Sequence, residues 1–354
     1  MSADVLQAPP VATVMPLQVD VAHDADATAW DAFATTQPLS GYHLWAWRRV
    51  FAGAFGHECT YFVARRGPEI EGVLPLVGID SRLFGRTLTS LPFLNYGGLR
   101  ASGAEAATAL LETARQHAID RGYHSVELRH RERLVPGVPV KQHKVTMLLP
   151  LAADLWDRLD RKVRNQVRKA EKSGLTVTKG GTELLPEFYT VFARNMRDLG
   201  TPVYSRRLFE QVLAAFPLHA RLHVVRRGQQ PVAAGLTYRS AATTEVPWAS
   251  SIRDYNSLCP NHLLYWHIIE DAIAGGGDTL DFGRSTPHEG TYRFKEQWGA
   301  VPFALHWEYP YLRNDRIPDA NPANPKFQTA VAVWQRMPLW LTNRVGPHIV
   351  RRIP

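Results

Sequence analysis

The sequence predicts a mixed α/β protein (α+β, with mixed sheets) organised as two modules in tandem. Three observations carry that expectation. At 354 residues the chain is long for a single core, and with 45% apolar and 21% charged residues it can bury a large interior. Runs that alternate as half-buried strands do are interleaved with stretches of helical period. The order of elements then repeats on either side of residue 150: helices, an antiparallel meander, a helix and a strand pair. One larger mixed sheet is the alternative reading.

Residues 1–15, rich in Ala and Pro without a period, read as a loose leader. LQVDVA alternates as a strand, and DATAWDAFATTQ and HLWAWRRVFAGAFG read as helices rich in aromatics. CTYFVARR, EIEGVLPLVGID and RTLTSL are apolar runs cut by Gly, Pro and Asp, which is the pattern of a meander. SGAEAATALLETARQHAIDRG sets Ala106, Leu110, Ala114 and Ala118 along one helical face, and HSVELRH adds a strand; this first module covers 16–150. HKVTMLLPL is a strand at the junction. In the second module, 151–315, DLWDRLDRKVRNQVRKAEKSG reads as one helix ended by Gly174, LTVTKG as a strand, and ELLPEFYTVFARNMRDLG and SRRLFEQVLAAF as helices. HARLHVVRRG, PVAAGLTYRS and TTEVPWASSI are successive strands, NHLLYWHIIEDAIAGGG is a helix, and DTLDFG and ALHWEYPYL are strands. Residues 316–354 form a basic, aromatic tail.

With 41 Lys and Arg against 33 Asp and Glu, the net charge of +8 favours phosphate-bearing or other polyanionic partners. Cys59 and Cys259 are far apart and lack CxxC spacing, so neither a disulfide framework nor a metal site is expected. No run reaches the roughly 18 apolar residues of a spanning helix, and the first residues lack a signal-peptide pattern, so a cytoplasmic protein is expected. The sequence has no Gly-rich phosphate loop, no HExxH and no nucleophile elbow, and no tightly bound cofactor is expected.

Candidate functional residues fall in three places. The helix RKVRNQVRKAEK carries six bases against one Glu, with Arg161, Arg164, Arg168 and Lys172 beside an apolar stripe of Trp156, Leu159, Val163, Val167 and Ala170. Such a row suits phosphate oxygens, and a solvated amphipathic face is the plain alternative. In DTLDFGRSTPHEGTYRFKEQWGA a strand runs into Gly283, so Arg284 and Ser285 stand where a strand end aims side chains into a cleft. By alternation Tyr292 and Phe294 share one face and Arg293 and Lys295 the other; ordinary ion pairs bracing a turn are the competing explanation. Third, GTPVYSRR places Tyr204 between two helices, and VPWASS ends a meander with Trp248 and small residues, including Ser250, that let a ligand approach the backbone.

Taken together, RNQVRKAEKSGL, GTPVYS, WASSIRDYN, CPNHLLYWHIIEDAI, DFGRST and GTYRFKEQWGA resemble the FemAB-related branch of the GNAT (Gcn5-related N-acetyltransferase) superfamily, and within it the group associated with exosortase/PEP-CTERM exopolysaccharide loci. The resemblance covers residues 160–310. It implies two GNAT-like modules in tandem and acyl or aminoacyl transfer to an amine of a cell-envelope or exopolysaccharide precursor, nucleotide- or lipid-linked. The implied donor is aminoacyl-tRNA or acyl-CoA. The family's F-K-x-x-[FW]-G lysine corresponds to Lys295, and Arg284 lies in the DFGRS stretch of the subgroup.

The expected mechanism has Lys295 and Arg284 holding anionic groups and stabilising developing charge, with a carboxylate such as Asp281 or Glu289, or water, assisting amine deprotonation. Arg164 and Arg168 would bind phosphates of the acceptor or of tRNA, with Tyr204, Trp248, Ser250, Ser285, Glu289 and Tyr292 lining the substrate. A CoA-dependent N-acyltransferase, and a non-catalytic binder of a polyanionic glycolipid or nucleic acid, are the alternatives. The tail combines Trp334, Trp340, Ile349 and Val350 with Arg336, Arg344, Arg351 and Arg352. It suits peripheral contact with the inner face of an anionic membrane, or a helix packed back over the second module.

Overall fold

The computed structural model describes residues 15–36, 41–82, 85–310, 312 and 325–353. The leader expected over 1–15 lies outside them except for Met15. The first repeat supplies β1 (Leu17–Val21), α1 (Ala27–Thr36), α2 (Ala46–Phe55), β2 (Cys59–Arg66), β3 (Glu69–Ser81), β4 (Gly85–Ser90), the short β5 (Arg100–Ala101), α3 (Ala104–Asp120), β6 (Ser125–His130), β7 (Val140–Lys141) and β8 (Val145–Pro150). The second supplies α4 (Leu155–Arg158), α5 (Arg161–Lys172), β9 (Leu175–Gly180), α6 (Leu185–Asp198), α7 (Arg206–Ala215), β10 (Ala220–Arg227), β11 (Gln230–Ser240), β12 (Thr243–Ser251), α8 (Pro260–Ala274), β13 (Thr279–Ser285), α9 (Gly290–Glu296), β14 (Val301–Ala304) and β15 (His306–Glu308), and the tail adds α10 (Pro325–Arg336) and α11 (Leu339–Val350).

These strands form two mixed sheets of the same plan. One runs β1-β2-β3-β4-β6-β15-β7, with β5 on β3, and the other β9-β10-β11-β12-β13-β8-β14. Each has an antiparallel meander, a crossover helix (α3 or α8) and one parallel pair, β4 with β6 or β12 with β13. The position next to that pair is filled from the other repeat: β15 enters the first sheet against β6, and β8 enters the second against β13. The sheets thus exchange one strand each, β8 (145–150) lying in the second and β15 in the first.

Alternation along the strands sorts the interior into layers. Phe62, Leu74, Leu76 and Leu88 pack under α3, whereas Tyr61, Val63, Val73 and Val77 face the opposite way. That second face meets α1, α2, α6 and α7, and the same cluster continues to Leu222, Leu236 and Trp248 on the second sheet. The outer face of the second sheet carries α5 and α8 over Val225, Leu280 and Phe282. The modules thus share one apolar centre: Trp47 lies 4.8 Å from Phe216, and the Tyr238 hydroxyl donates to the Gly41 carbonyl at 3.0 Å. Burial of this kind, at about 25 cal/mol per Å², binds the modules far more firmly than a polar hinge would.

Two expected elements differ. The helix over 154–173 is broken after α4, because Asp160 caps α5 by accepting the Lys162 N–H at 2.6 Å. GTYRFKE is the helix α9 and not a strand. Its buried positions Tyr292 and Lys295, followed by Trp298, recur every three residues, which turns them to one side of a helix and not to alternate sides of a strand. The tail helices pack back on the second module: Gln335 donates to the Asp198 carbonyl, and Gly346 of α11 lies against the Val203 backbone. Trp334 is buried, whereas Trp340 is 69% exposed.

Candidate functional site

Each parallel pair is in register over only three residues a side, Thr87–Thr89 with Ser125–Glu127 and Thr243–Glu245 with Thr279–Asp281, and then parts. The segment 91–99 (LPFLNYGGL) enters both openings. On one side Gly97 and Gly98 donate to the Arg129 carbonyl at 3.0 and 2.9 Å. On the other, Asn95 accepts the Arg284 N–H at 3.3 Å, and the Tyr96 hydroxyl donates to Asp281 at 3.0 Å. The path needs Leu91 and Phe93 at positive φ, a strain tolerated where the surroundings impose it.

Asp281 is wholly buried and accepts three hydrogen bonds: from Tyr96, from the Thr146 hydroxyl at 2.5 Å and from the Gly283 N–H at 2.8 Å. This corrects its expected role as a base, because its oxygens are committed to the junction and face no cleft. Paired with it across the strands is Glu245, whose carboxyl is pushed up to about 8 by burial and then by the Asp281 charge; the Tyr42 and Tyr96 hydroxyls pull it back in part. Lys295 is also buried, and its Nζ donates to the carbonyls of Gly283 and Arg284 at 2.8 and 3.0 Å. Burial lowers its ammonium to about 8, Asp281 opposing and Arg284 adding to the shift. The lysine read as a group on the substrate is therefore committed to the bulge where β13 slips register against β8.

Arg284 emerges from that bulge toward the first module. Its guanidinium lies 5.2 Å over the Trp307 ring, which also carries Arg129 at 4.4 Å. Arg129 is paired with Glu127 at 2.7 Å, and Glu127 accepts from Tyr309 at 2.8 Å. Among the described residues Arg284 Nη1 has no hydrogen-bond partner, nor do Ser285 Oγ, Asn95 Nδ2 and Trp307 Nε1 around it. Burial, with the Arg129 charge beside it, brings the Arg284 guanidinium down to about 10. Lys144 adds a further cation, bonded to the Thr286 hydroxyl at 2.6 Å and lowered by burial and by Arg284. A cluster of like charges with unmet donors is an arrangement that an anion would complete.

Of the residues expected from sequence, Arg284, Ser285 and Tyr204 come together here, the half-buried Tyr204 being close enough for the Arg284 charge to act on its hydroxyl. Glu289, exposed at the start of α9, is close enough for its charge to act on Lys144. The rest are placed elsewhere. Arg164 and Arg168 sit on α5, on the outer face of the second sheet, with Arg168 over Trp156 at 5.5 Å. Tyr292 is buried in that outer layer, Trp248 packs edge-on to Phe209 at 5.3 Å, and Ser250 accepts from Asn195 at 3.0 Å. Arg129, Lys144, Trp307, Asn95 and Glu245 were not foreseen. The lone acid inside TTEVPWASS and the charge-flanked Trp of ALHWEYPYL were their only signals.

Arg129 and Tyr96 also line a cavity of about 240 Å³ that opens beside the 91–99 segment, with His43, Arg100 and Arg131 in its wall. His43 is brought down to about 3 by burial and then by Arg100, and its Nε2 lies 2.6 Å from the Gly98 carbonyl.

Two sheets of one strand plan, exchanging strands around a cationic centre, define a two-module α/β protein. Residues 158–296 match the acetyltransferase (GNAT) domain family. The fold is similar to that of FemX (TM-score 0.62, 17% identity, 83% of this chain and 97% of that one). It is similar as well to a tandem GNAT protein from the clavulanic acid biosynthesis pathway (0.56, 11%, 85% and 100%). A third likeness is to a C-terminal domain attributed to a lysylphosphatidylglycerol synthetase of Agrobacterium fabrum (0.57, 9%, 88% and 95%). No curated protein matches the chain.

Proposed function

We propose that the protein transfers an acyl or aminoacyl group to an amine of a phosphate-bearing cell-envelope or exopolysaccharide precursor, as its resemblance to the exosortase-associated FemAB group implies. The observation that carries this reading is Arg284 and Arg129 stacked on Trp307, with Lys144 near enough to feel the Arg284 charge and donors of Arg284, Asn95 and Trp307 left unmet. The acceptor's phosphate or carboxylate completes those donors and fixes the amine beside the donor carbonyl, so positioning supplies much of the rate. The amine nitrogen attacks the carbonyl carbon, the N–C bond forms, and the C–O bond of aminoacyl-tRNA or the C–S bond of acyl-CoA breaks. The amine's surplus proton passes through Glu289 or water to the leaving group. Lys144 and Arg284 stabilise the negative charge on the carbonyl oxygen.

CoA as donor is favoured by one specific observation, the match of residues 158–296 to an acetyltransferase domain. A lipid-linked acceptor is favoured by the tail, where the exposed Trp340 and Arg344 can reach a headgroup layer. Among the described residues no helix is long and apolar enough to cross a membrane. The test is Arg284→Gln, assayed for transfer from labelled acetyl-CoA and from charged tRNA to nucleotide- and lipid-linked amino sugars. Loss of about 100-fold in kcat/KM with Tm unchanged is expected; full turnover would remove the junction from the mechanism.

A further inference from the structure

A cavity of about 460 Å³ lies away from the junction, between the first module and the end of the tail. Its floor is the turn after α2 and the last residues of β3, and its walls carry Arg82, Arg86, Arg351 and Arg352. Two acids share the lining, Glu58 and Asp80, and Glu58 is held by Arg121 at 3.2 Å. Arg86 is fixed in place: one nitrogen donates to the Arg121 carbonyl at 2.6 Å, and the guanidinium lies 4.8 Å over the Tyr123 ring. Tyr123 in turn presses on the Gly78 backbone, where a Cβ would stand 2.2 Å from its hydroxyl. His57, in the same wall, is lowered to about 4 by burial and then by the Arg351 charge, so at neutral pH it contributes an uncharged ring.

We propose that this cavity is a second binding site, separate from the transfer junction, for a phosphate-bearing anion of headgroup or nucleotide size. The volume lies within the range of small-molecule sites, about 300–1,000 Å³, and exceeds what a single ion fills. Four guanidiniums against one acid without an arginine partner give the charge, and planar forks match phosphate oxygens. The tail supplies a second line of support. Trp340, Arg344, His348 and Arg352 recur every four residues and are all exposed, forming a basic stripe that ends in the cavity wall. A soluble phosphorylated metabolite and a lipid headgroup share this chemistry, and the stripe offers the second an approach.

The full chain is titrated by calorimetry with inorganic pyrophosphate and floated with phosphatidylglycerol–phosphatidylcholine vesicles against phosphatidylcholine alone. Arg351→Glu/Arg352→Glu is compared with Arg207→Glu/Arg227→Glu, which makes the same charge change at exposed sites outside the cavity. Binding weakened on the order of tenfold in the first pair and within about twofold in the second is expected. Loss for pyrophosphate assigns a soluble ligand, and loss for vesicles alone assigns a headgroup. Should the first pair lower Tm, Arg82→Glu, at an exposed turn, repeats the comparison. No binding of either probe by the wild type, or equal weakening in both pairs, overturns the proposal.

Discussion

The Lys295 ammonium stands 2.8 Å from the carbonyl oxygen of Gly283 and holds the bulge from which Arg284 projects. Replacing it leaves two carbonyls inside the protein without their charged donor. Lys295→Met, which keeps most of the volume, is expected to cost about 2–3 kcal/mol and to lower Tm. Thermal unfolding is the measurement. A variant that melts like the wild type but has lost transfer would return Lys295 to the substrate.

Glu245 makes stability depend on pH. Its folded carboxyl titrates near 8 and its unfolded one at the ordinary 4.5, so between these values the native state binds the extra proton. Its contribution is full below pH 4.5 and is lost as pH rises through about 8. Lys295 works in the opposite sense at higher pH: lowered from 10.5 to about 8, it makes stability rise over that interval. Glu245→Gln should therefore flatten the decline of Tm between pH 5 and 8 and melt a few degrees higher at pH 8. An unchanged slope in denaturant or thermal titrations would show that this carboxyl does not titrate there.

Gly283 combines φ +77 with a crowded site, a Cβ falling 3.0 Å from Asn95 Nδ2 and 3.2 Å from the Val246 carbonyl. Gly283→Ala is predicted to destabilise by about 1–3 kcal/mol and to displace Arg284. Loss of transfer exceeding the loss of folded protein would report that displacement. Wild-type activity and Tm would mean that the 91–99 segment yields freely.

Gly346 ties the tail down, since an added Cβ would lie 2.9 Å from the Val203 amide nitrogen. Gly346→Ala is expected to loosen α11 and to speed proteolysis near residues 336–339, the junction of α10 and α11. Protection equal to the wild type would show that the helix accommodates the methyl group.

Much of the architecture was legible because periodicity reports which face is buried. The meanders, the α3 stripe of Ala106, Leu110, Ala114 and Ala118, and the doubling of one plan all follow from it. The site was less legible. Arg284 stood out because it follows a glycine at a strand end, but Trp307 and Arg129 reach it only through strand pairing between distant segments, which local pattern cannot express. Asp281 was read as a carboxylate assisting amine deprotonation, and its burial depends on Tyr96 and Thr146, more than a hundred residues upstream. The basic row on α5 was read correctly as amphipathic, yet its alignment says nothing about which side of a sheet it occupies.

The reciprocal placement of β8 and β15 bears on how the chain can be made. A ribosome delivers β6 long before its neighbour: 176 residues separate His130 from His306. At about 5–20 residues per second that is roughly 9–35 s during which one edge of the nascent first sheet stays open, and β8 waits for β13 in the same way. Neither half can be released as a finished unit. Genes encoding residues 1–150 and 151–354 separately should yield little folded product alone, and the two polypeptides should recover it when translated together.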